Sequence, residues 1–262
     1  MNESTRRLLR QLASAGDEAS RKAAKAIEQA YRGQQDGATA LIEELRRVMA
    51  LRNPTERLKA RERLIQTALS LHPPIPPPFL AQITESVTVG GQVAAGMVSV
   101  SMEIVSPAVL EAAAGTEAMY RAFWGDQRAD HTARLGRVIT QALSSGGTKY
   151  PVKAELMQAL GVSRSKAVQL GHDAIQSALN GGQVSVWDQA REDLGLELTK
   201  TWLHARGGKN SRPDHVALDG KTIPYSEDFI KGVLAHPHDV RGTAKHNANC
   251  RCSLYVSVKG GE

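Results

Sequence analysis

Residues 196–258 read LELTKTWLHARGGKNSRPDHVALDGKTIPYSEDFIKGVLAHPHDVRGTAKHNANCRCSLYVSV. The stretch opens on an alternation. Leu196, Leu198, Lys200 and Trp202 take one parity and Glu197, Thr199, Thr201 and Leu203 the other, the pattern of a half-buried strand. It closes on a second alternation, Cys252, Leu254, Val256 and Val258, which predicts a last strand. Between them Asp219-Gly220 is a strong signal for a two-residue hairpin turn. Three or four short strands are expected here, so residues 196–262 read as a small antiparallel β-containing α+β domain. His215, Cys250 and Cys252 fall inside it and form its most chemically specific feature.

Everything upstream reads as helix. Residues 3–32 carry apolar side chains at helical spacing, with a break suggested at Gly16. Leu41, Ile42, Leu45, Val48 and Met49 make one stripe of a second helix over about 38–51. Asn53-Pro54-Thr55-Glu56 starts a third: Asn53 can cap, and Pro54 suits the first helical position. The run HPPIPPPF at 72–79 stops any helix, because prolines lack the amide donor. Residues 80–105 hold only two charges, Glu85 and Glu103, and their periodicity does not separate strand from helix. Further helices are expected at 107–123 from Pro107, at 127–144 from Asp126, from Pro151 to Leu160, and from Ser163 to the Asn180-Gly181-Gly182 stop. The fold class is therefore α+β and mainly helical. It divides into a basic helical arm (1–72), a Pro-rich linker with a low-charge segment (73–106), a helical bundle (107–195) and the C-terminal domain (196–262).

Composition supports a helical core. Hydrophobic residues make up 41% and aromatics only 4%, so Ala, Leu, Val and Ile must fill the interior. The net charge is +6, and residues 1–72 hold 14 Lys/Arg against 9 Asp/Glu, most of that excess. Such an arm suits nucleic acid or an acidic surface. Arg6, Arg7, Arg10, Arg57, Lys59 and Arg61 are its candidate contacts, joined by Arg206 and Lys209 beside the Gly-Gly of the C-terminal stretch. No run is apolar enough to cross a membrane, and the first residues lack the apolar core of a secretory signal. The two cysteines are one residue apart, a spacing that strains an intrachain disulfide and fits a reducing compartment.

The C-terminal stretch resembles the phage head morphogenesis family, the minor capsid proteins similar to protein F of phage Mu. The resemblance lies in Trp202, Arg212, His215, Leu218-Asp219-Gly220, Asp228-Phe229, Pro237-His238-Asp239 and Asn249-Cys250-Arg251-Cys252, in that order. It covers about 107–258 and is strongest after Trp202. It departs just after that Trp, where the family has an Asp and an Arg and this chain has His204, Arg206 and a Gly-Gly insert. The resemblance implies a minor head protein of a tailed phage or prophage, found in the virion at the capsid interior or portal vertex and in the host cytoplasm during assembly. Its implied partners are the portal protein, the major capsid protein and viral DNA bound without sequence preference, with no membrane and no catalytic residue. Its implied work is head assembly, DNA packaging or genome delivery.

Two other classes compete. His215, Cys250 and Cys252 with His246 can ligate zinc, a structural cofactor that would staple a small domain. The same knot can be drawn as a metal-dependent nuclease or hydrolase, with a Cys–His pair beside Asp214 or a His-Asn site at His246-Asn247. The helix, Gly161-Val162-Ser163, helix pattern resembles a helix-turn-helix DNA reader presenting Arg164, Ser165, Lys166 and Gln169.

Overall fold

The computed structural model of this chain describes residues 3–145, 152–160, 164–205 and 211–260. Among these the element order is α1 (Glu3–Arg32), α2 (Gln35–Met49), α3 (Pro54–Ser70), α4 (Pro77–Val98), α5 (Met102–Ser145), α6 (Val152–Leu160), α7 (Arg164–Leu194), β1 (Leu198–Leu203), α8 (Pro213–Ala217), β2 (Thr222–Pro224), α9 (Ala244–Asn247) and β3 (Ser253–Val258). This is the expected α+β class, mainly helical with a small antiparallel sheet at the C-terminal end. Two compact units are present: Met1–Ala24 with Pro78–Ala118 and Val168–Glu262, and Lys25–Pro77 with Met119–Ala167. They cut across the four segments read from composition. The basic residues expected on one arm belong to both units.

The second unit has an aliphatic core. Leu41, Leu45 and Val48 of α2, Leu64 and Ala68 of α3, Leu135, Ile139 and Leu143 of α5 and Leu156 of α6 form one buried cluster. The stripe read from the sequence is the one that packs. Asn53 caps α3 as expected, its Oδ1 accepting from Thr55 N–H at 2.9 Å. Tyr31, His72, Trp124 and His131 pack as rings at one edge, with His72 and His131 centroids 5.3 Å apart. The Trp124 indole N–H donates to the Pro73 carbonyl at 3.0 Å.

In the first unit, small residues set the helix contacts. A Cβ on Gly90 would meet the Leu179 carbonyl oxygen at 2.1 Å, and one on Gly182 the Val87 carbonyl oxygen at 2.0 Å. Backbone meets backbone at both points, so α4 and α7 pack at a distance only glycine permits. This corrects the Asn180-Gly181-Gly182 stop: α7 runs straight through it to Leu194. These glycines mark a close crossing, and the packing they allow outweighs their cost of about 1 kcal/mol each in a helix interior. Trp187, fully buried on α7, donates its N–H to the Ala94 carbonyl of α4 at 3.3 Å.

Other expectations are resolved or change. The low-charge segment is helix α4, and it begins at Pro77 inside the proline run, since proline is tolerated in a helix's first turn. The helices expected at 107–123 and 127–144 are one, α5, which starts at Met102 and contains Pro107, Gly125 and Asp126. α1 does not break at Gly16, where a Cβ would stand 3.0 Å from Leu179. Gly161-Val162-Ser163 and the Pro151 start lie outside the described residues.

The sheet has the order β2-β1-β3, both pairs antiparallel. β1 is central: Trp202 faces Leu254, and Lys200 faces Val256 on one side and Ile223 on the other. Leu198 and Trp202 point inward, as the alternation predicted, and Lys200 shares their side. Asp219-Gly220 is not a two-residue hairpin. The connection from β1 to β2 contains α8, and Gly220 (φ +77°) serves the turn in which Lys221 N–H donates to the Leu218 carbonyl.

Candidate metal centre

The site is assembled at the mouth of this sheet. Trp202, one residue before the end of β1, has a fully buried indole. α8, one short turn started by Pro213, carries His215, and its ring stands edge-on to Trp202 with centroids 5.1 Å apart. Phe229 takes the same indole from another side at 5.2 Å. Cys250 and Cys252 come just before β3 and face inward, with Arg251 between them exposed, as a strand-like alternation requires. His215 Nδ1 lies 3.6 Å from Cys250 Sγ and 3.6 Å from Cys252 Sγ. All three ligand atoms fall within 4.8 Å of one another, and the residues are 2%, 2% and 3% exposed.

The loop that delivers the cysteines has almost no ladder bonds, so side chains satisfy its backbone. Arg212 donates to the carbonyls of Lys245 and Ala248. His238 Nε2 lies 2.8 Å from the Cys250 carbonyl, which accepts from it. Asp173 Oδ1, from α7, accepts from Asn249 N–H at 2.6 Å. Asn249 itself is left-handed (φ +55°), a conformation asparagine tolerates better than most residues. Asn247 Nδ2 donates to the Asp239 and Gly242 carbonyls. Asp239 in turn accepts from Ala235 N–H and from Arg241, which also grips Asp228. Burial pushes the Asp239 carboxyl up, but the bonds from Arg241 and Ala235 prevail and hold it at about 2.

The two sulfurs are unequal. The Cys250 thiol is raised, first because it donates to Cys252 and then by burial. Cys252 is pushed down, first by the Cys250 thiol and then by the nearby His215, which together outweigh its burial. Two polar atoms at the centre, His215 Nε2 and Trp202 Nε1, are buried without a hydrogen-bond partner among the described residues.

Of the expected ligands the fold brings together three and leaves one out. His246 is not in the group; its Nδ1 lies 3.3 Å from Thr243 Oγ1. The catalytic drawings fare differently from the ligand set. Asp214 Oδ1 accepts the backbone N–H of His215, so it does not orient the imidazole. Asn247 is spent on backbone carbonyls. Of the remaining motif residues, Asp219 Oδ1 accepts from His204 N–H at 3.0 Å, and Pro237 is buried with its carbonyl taking His236 Nδ1.

The basic candidates are dispersed. Arg6, Arg7, Arg10 and Lys59 are exposed, with Arg6 and Arg10 both near Glu3 (4.0 and 2.6 Å). Arg57 has its Nε buried without a partner among the described residues, and Arg61 Nε donates to Thr140 Oγ1 at 2.7 Å. Arg206 and Lys209 lie outside the described residues. Arg164, Ser165 and Lys166 are exposed at the start of α7.

Sequence reasoning missed two contributors. Lys200 is 3% exposed, and burial pushes its amine down to about 8, with its Nζ 5.2 Å from the Tyr225 ring centre. Its parity with Leu198 and Trp202 was the available signal. Asp173 had none, because it acts on a backbone group 76 residues away.

Residues 133–255 match a family model described as phage Mu protein F like protein. No curated protein and no solved structure matches the chain. No helix among the described residues is long and apolar enough to cross a membrane.

Proposed function

We propose, from the phage Mu F-like domain that residues 133–255 carry, that this phage head morphogenesis protein is a minor head protein of a tailed phage or prophage. It associates with the portal protein and the major capsid protein at the capsid interior or portal vertex, and it assists head assembly, DNA packaging or genome delivery. The family match is the observation that carries the reading. Two features support it. The Trp202-to-Cys252 motif is used to hold a fold together, and its Cys–His pair is sealed from solvent, which suits a structural part better than a hydrolase. The exposed Arg6, Arg7, Arg10 and Lys59 supply a phosphate-directed, sequence-independent contact to viral DNA.

Mass spectrometry of purified particles tests the placement. A few copies per particle alongside the portal protein are expected, and absence from particles despite expression in the cell overturns it. The DNA contact has its own test in a gel shift with random duplex. Binding should weaken steeply between about 50 and 200 mM salt, and a salt-independent shift would remove the phosphate reading.

A further inference from the structure

We infer that His215 Nδ1, Cys250 Sγ and Cys252 Sγ bind a zinc(II) ion, forming a buried three-residue centre that ties α8 to the start of β3. Four observations lead there, and none depends on the head-protein reading.

The first is distance. Zinc holds thiolate sulfur at about 2.3 Å and imidazole nitrogen at about 2.05 Å, so tetrahedral angles put nitrogen and sulfur about 3.6 Å apart. Both nitrogen–sulfur separations are 3.6 Å. One N–H can point at one acceptor; a nitrogen equidistant from two sulfurs is placed as for an ion between all three.

The second is the burial of the sulfurs. Cys250 and Cys252 are 2% and 3% exposed and stand beside the same ring nitrogen. A metal-bound thiolate pair can be enclosed in this way, because the ion offsets the charge that burial penalises.

The third is the frame. Arg212, His238 and Asp173 fix the backbone of residues 245–250 from three directions before any ion arrives. Holding ligands from their own side chains and backbone is what the outer residues of a metal site do. A disulfide does not explain the frame, because both cysteines are free and a Cys-x-Cys ring is strained.

The fourth is the histidine. Among the described residues its Nε2 is buried with no partner, and the ring's polar contact with the site runs through Nδ1. Two sulfurs and an imidazole select a soft or borderline ion over magnesium or calcium. Among the described residues no fourth His, Cys, Asp or Glu joins the group, so a water or small anion completes the tetrahedron.

The experiment uses the full chain purified without a histidine tag, under reducing conditions. Elemental analysis should find close to one zinc per chain. Cobalt(II) in its place should give a sulfur-to-cobalt charge-transfer band and the intense visible bands of a tetrahedral ion. His215→Ala, Cys250→Ser and Cys252→Ser should lose the metal, and His246→Ala should keep it. Where the ligand variants fail to fold, titrating the wild-type thiols with a mercurial should release zinc to a chromophoric chelator in step with two sulfurs. Less than about a tenth of an equivalent of zinc, unchanged after equimolar zinc is added, overturns the site. Retention of metal by Cys252→Ser also overturns it. Either result leaves the particle measurement untouched.

Discussion

The aliphatic core of the second unit and the C-terminal sheet region of the first are built on opposite principles. In the former, one continuous cluster of Leu, Ile, Val and Ala from α2, α3, α5 and α6 is buried, and helices satisfy their own backbone. In the latter, three short strands leave a long connection, 225–252, whose amides and carbonyls have few ladder partners. Arg212, Asp173, Asp239, His238 and Asn247 supply those partners. The contrast teaches how to read a motif. A density of Arg, Asp, His and Asn resembles an active site, yet here most of these residues do the work that a regular ladder does elsewhere. What remains without such an assignment is the His215–Cys250–Cys252 group.

Truncation should expose the contrast most sharply. Trp202→Ala removes a fully buried indole that both His215 and Phe229 contact, and is expected to cost about 3–5 kcal/mol in denaturant unfolding. Leu45→Ala, fully buried in the other core, should cost about 2–5 kcal/mol. The comparison predicts that metal content falls in the first variant and not in the second. Equal loss in both would mean the centre depends on global stability alone.

Acid should separate the regions next. Burial, with His72 adding to it, holds His131 at about 4, below its ordinary 6.5, so the ring is neutral in the folded protein at pH 7. The unfolded chain takes up that proton as pH falls through 6.5, and the folded chain only near 4. Stability is therefore lost across that window, by up to about 3 kcal/mol. His131→Leu should flatten the loss between pH 6.5 and 4, measured by urea midpoints, while leaving metal content at pH 7 unchanged. An unaltered acid profile would remove His131 as its source.

Breaking a clamp should cost less. Arg212→Ala frees the Lys245 and Ala248 carbonyls and is expected to cost about 1.5–3 kcal/mol. Arg212→Lys should recover only part of it, because an ammonium lacks the planar fork that reaches two carbonyls. Full recovery by Lys would show that charge and not geometry matters there.

The smallest change runs the other way. Lys200 has its amine lowered from 10.5 to about 8 by burial, so the folded protein binds a proton less readily than the unfolded chain between those values. Stability should rise with pH across that window. Lys200→Met should stabilise the protein at pH 7 by about 1–2 kcal/mol, and the gain should vanish toward pH 10.5. A destabilised variant at pH 7 would instead give the amine a ligand or partner to hold in the neighbouring cleft, about 320 Å³ in volume, lined by Asp188, Tyr225 and His236.

The sequence by itself determined the class, the helical stripes, the Asn53 cap, the parity of β1 and β3, and the residue types of the candidate centre. Those are local properties: periodicity follows from 3.6- and 2-residue repeats, and a cap needs only its own first turn. Only the tertiary structure decided the rest. It ran α7 through Asn180-Gly181-Gly182 because α4 packs there, merged two expected helices into α5, and placed Lys200 indoors. It also chose His215 over His246 beside the two sulfurs and recruited Asp173 from 76 residues away. The reason is common to all of these. Glycine, lysine, histidine and aspartate each have two physically reasonable uses, and which one wins depends on what the folded chain places opposite them.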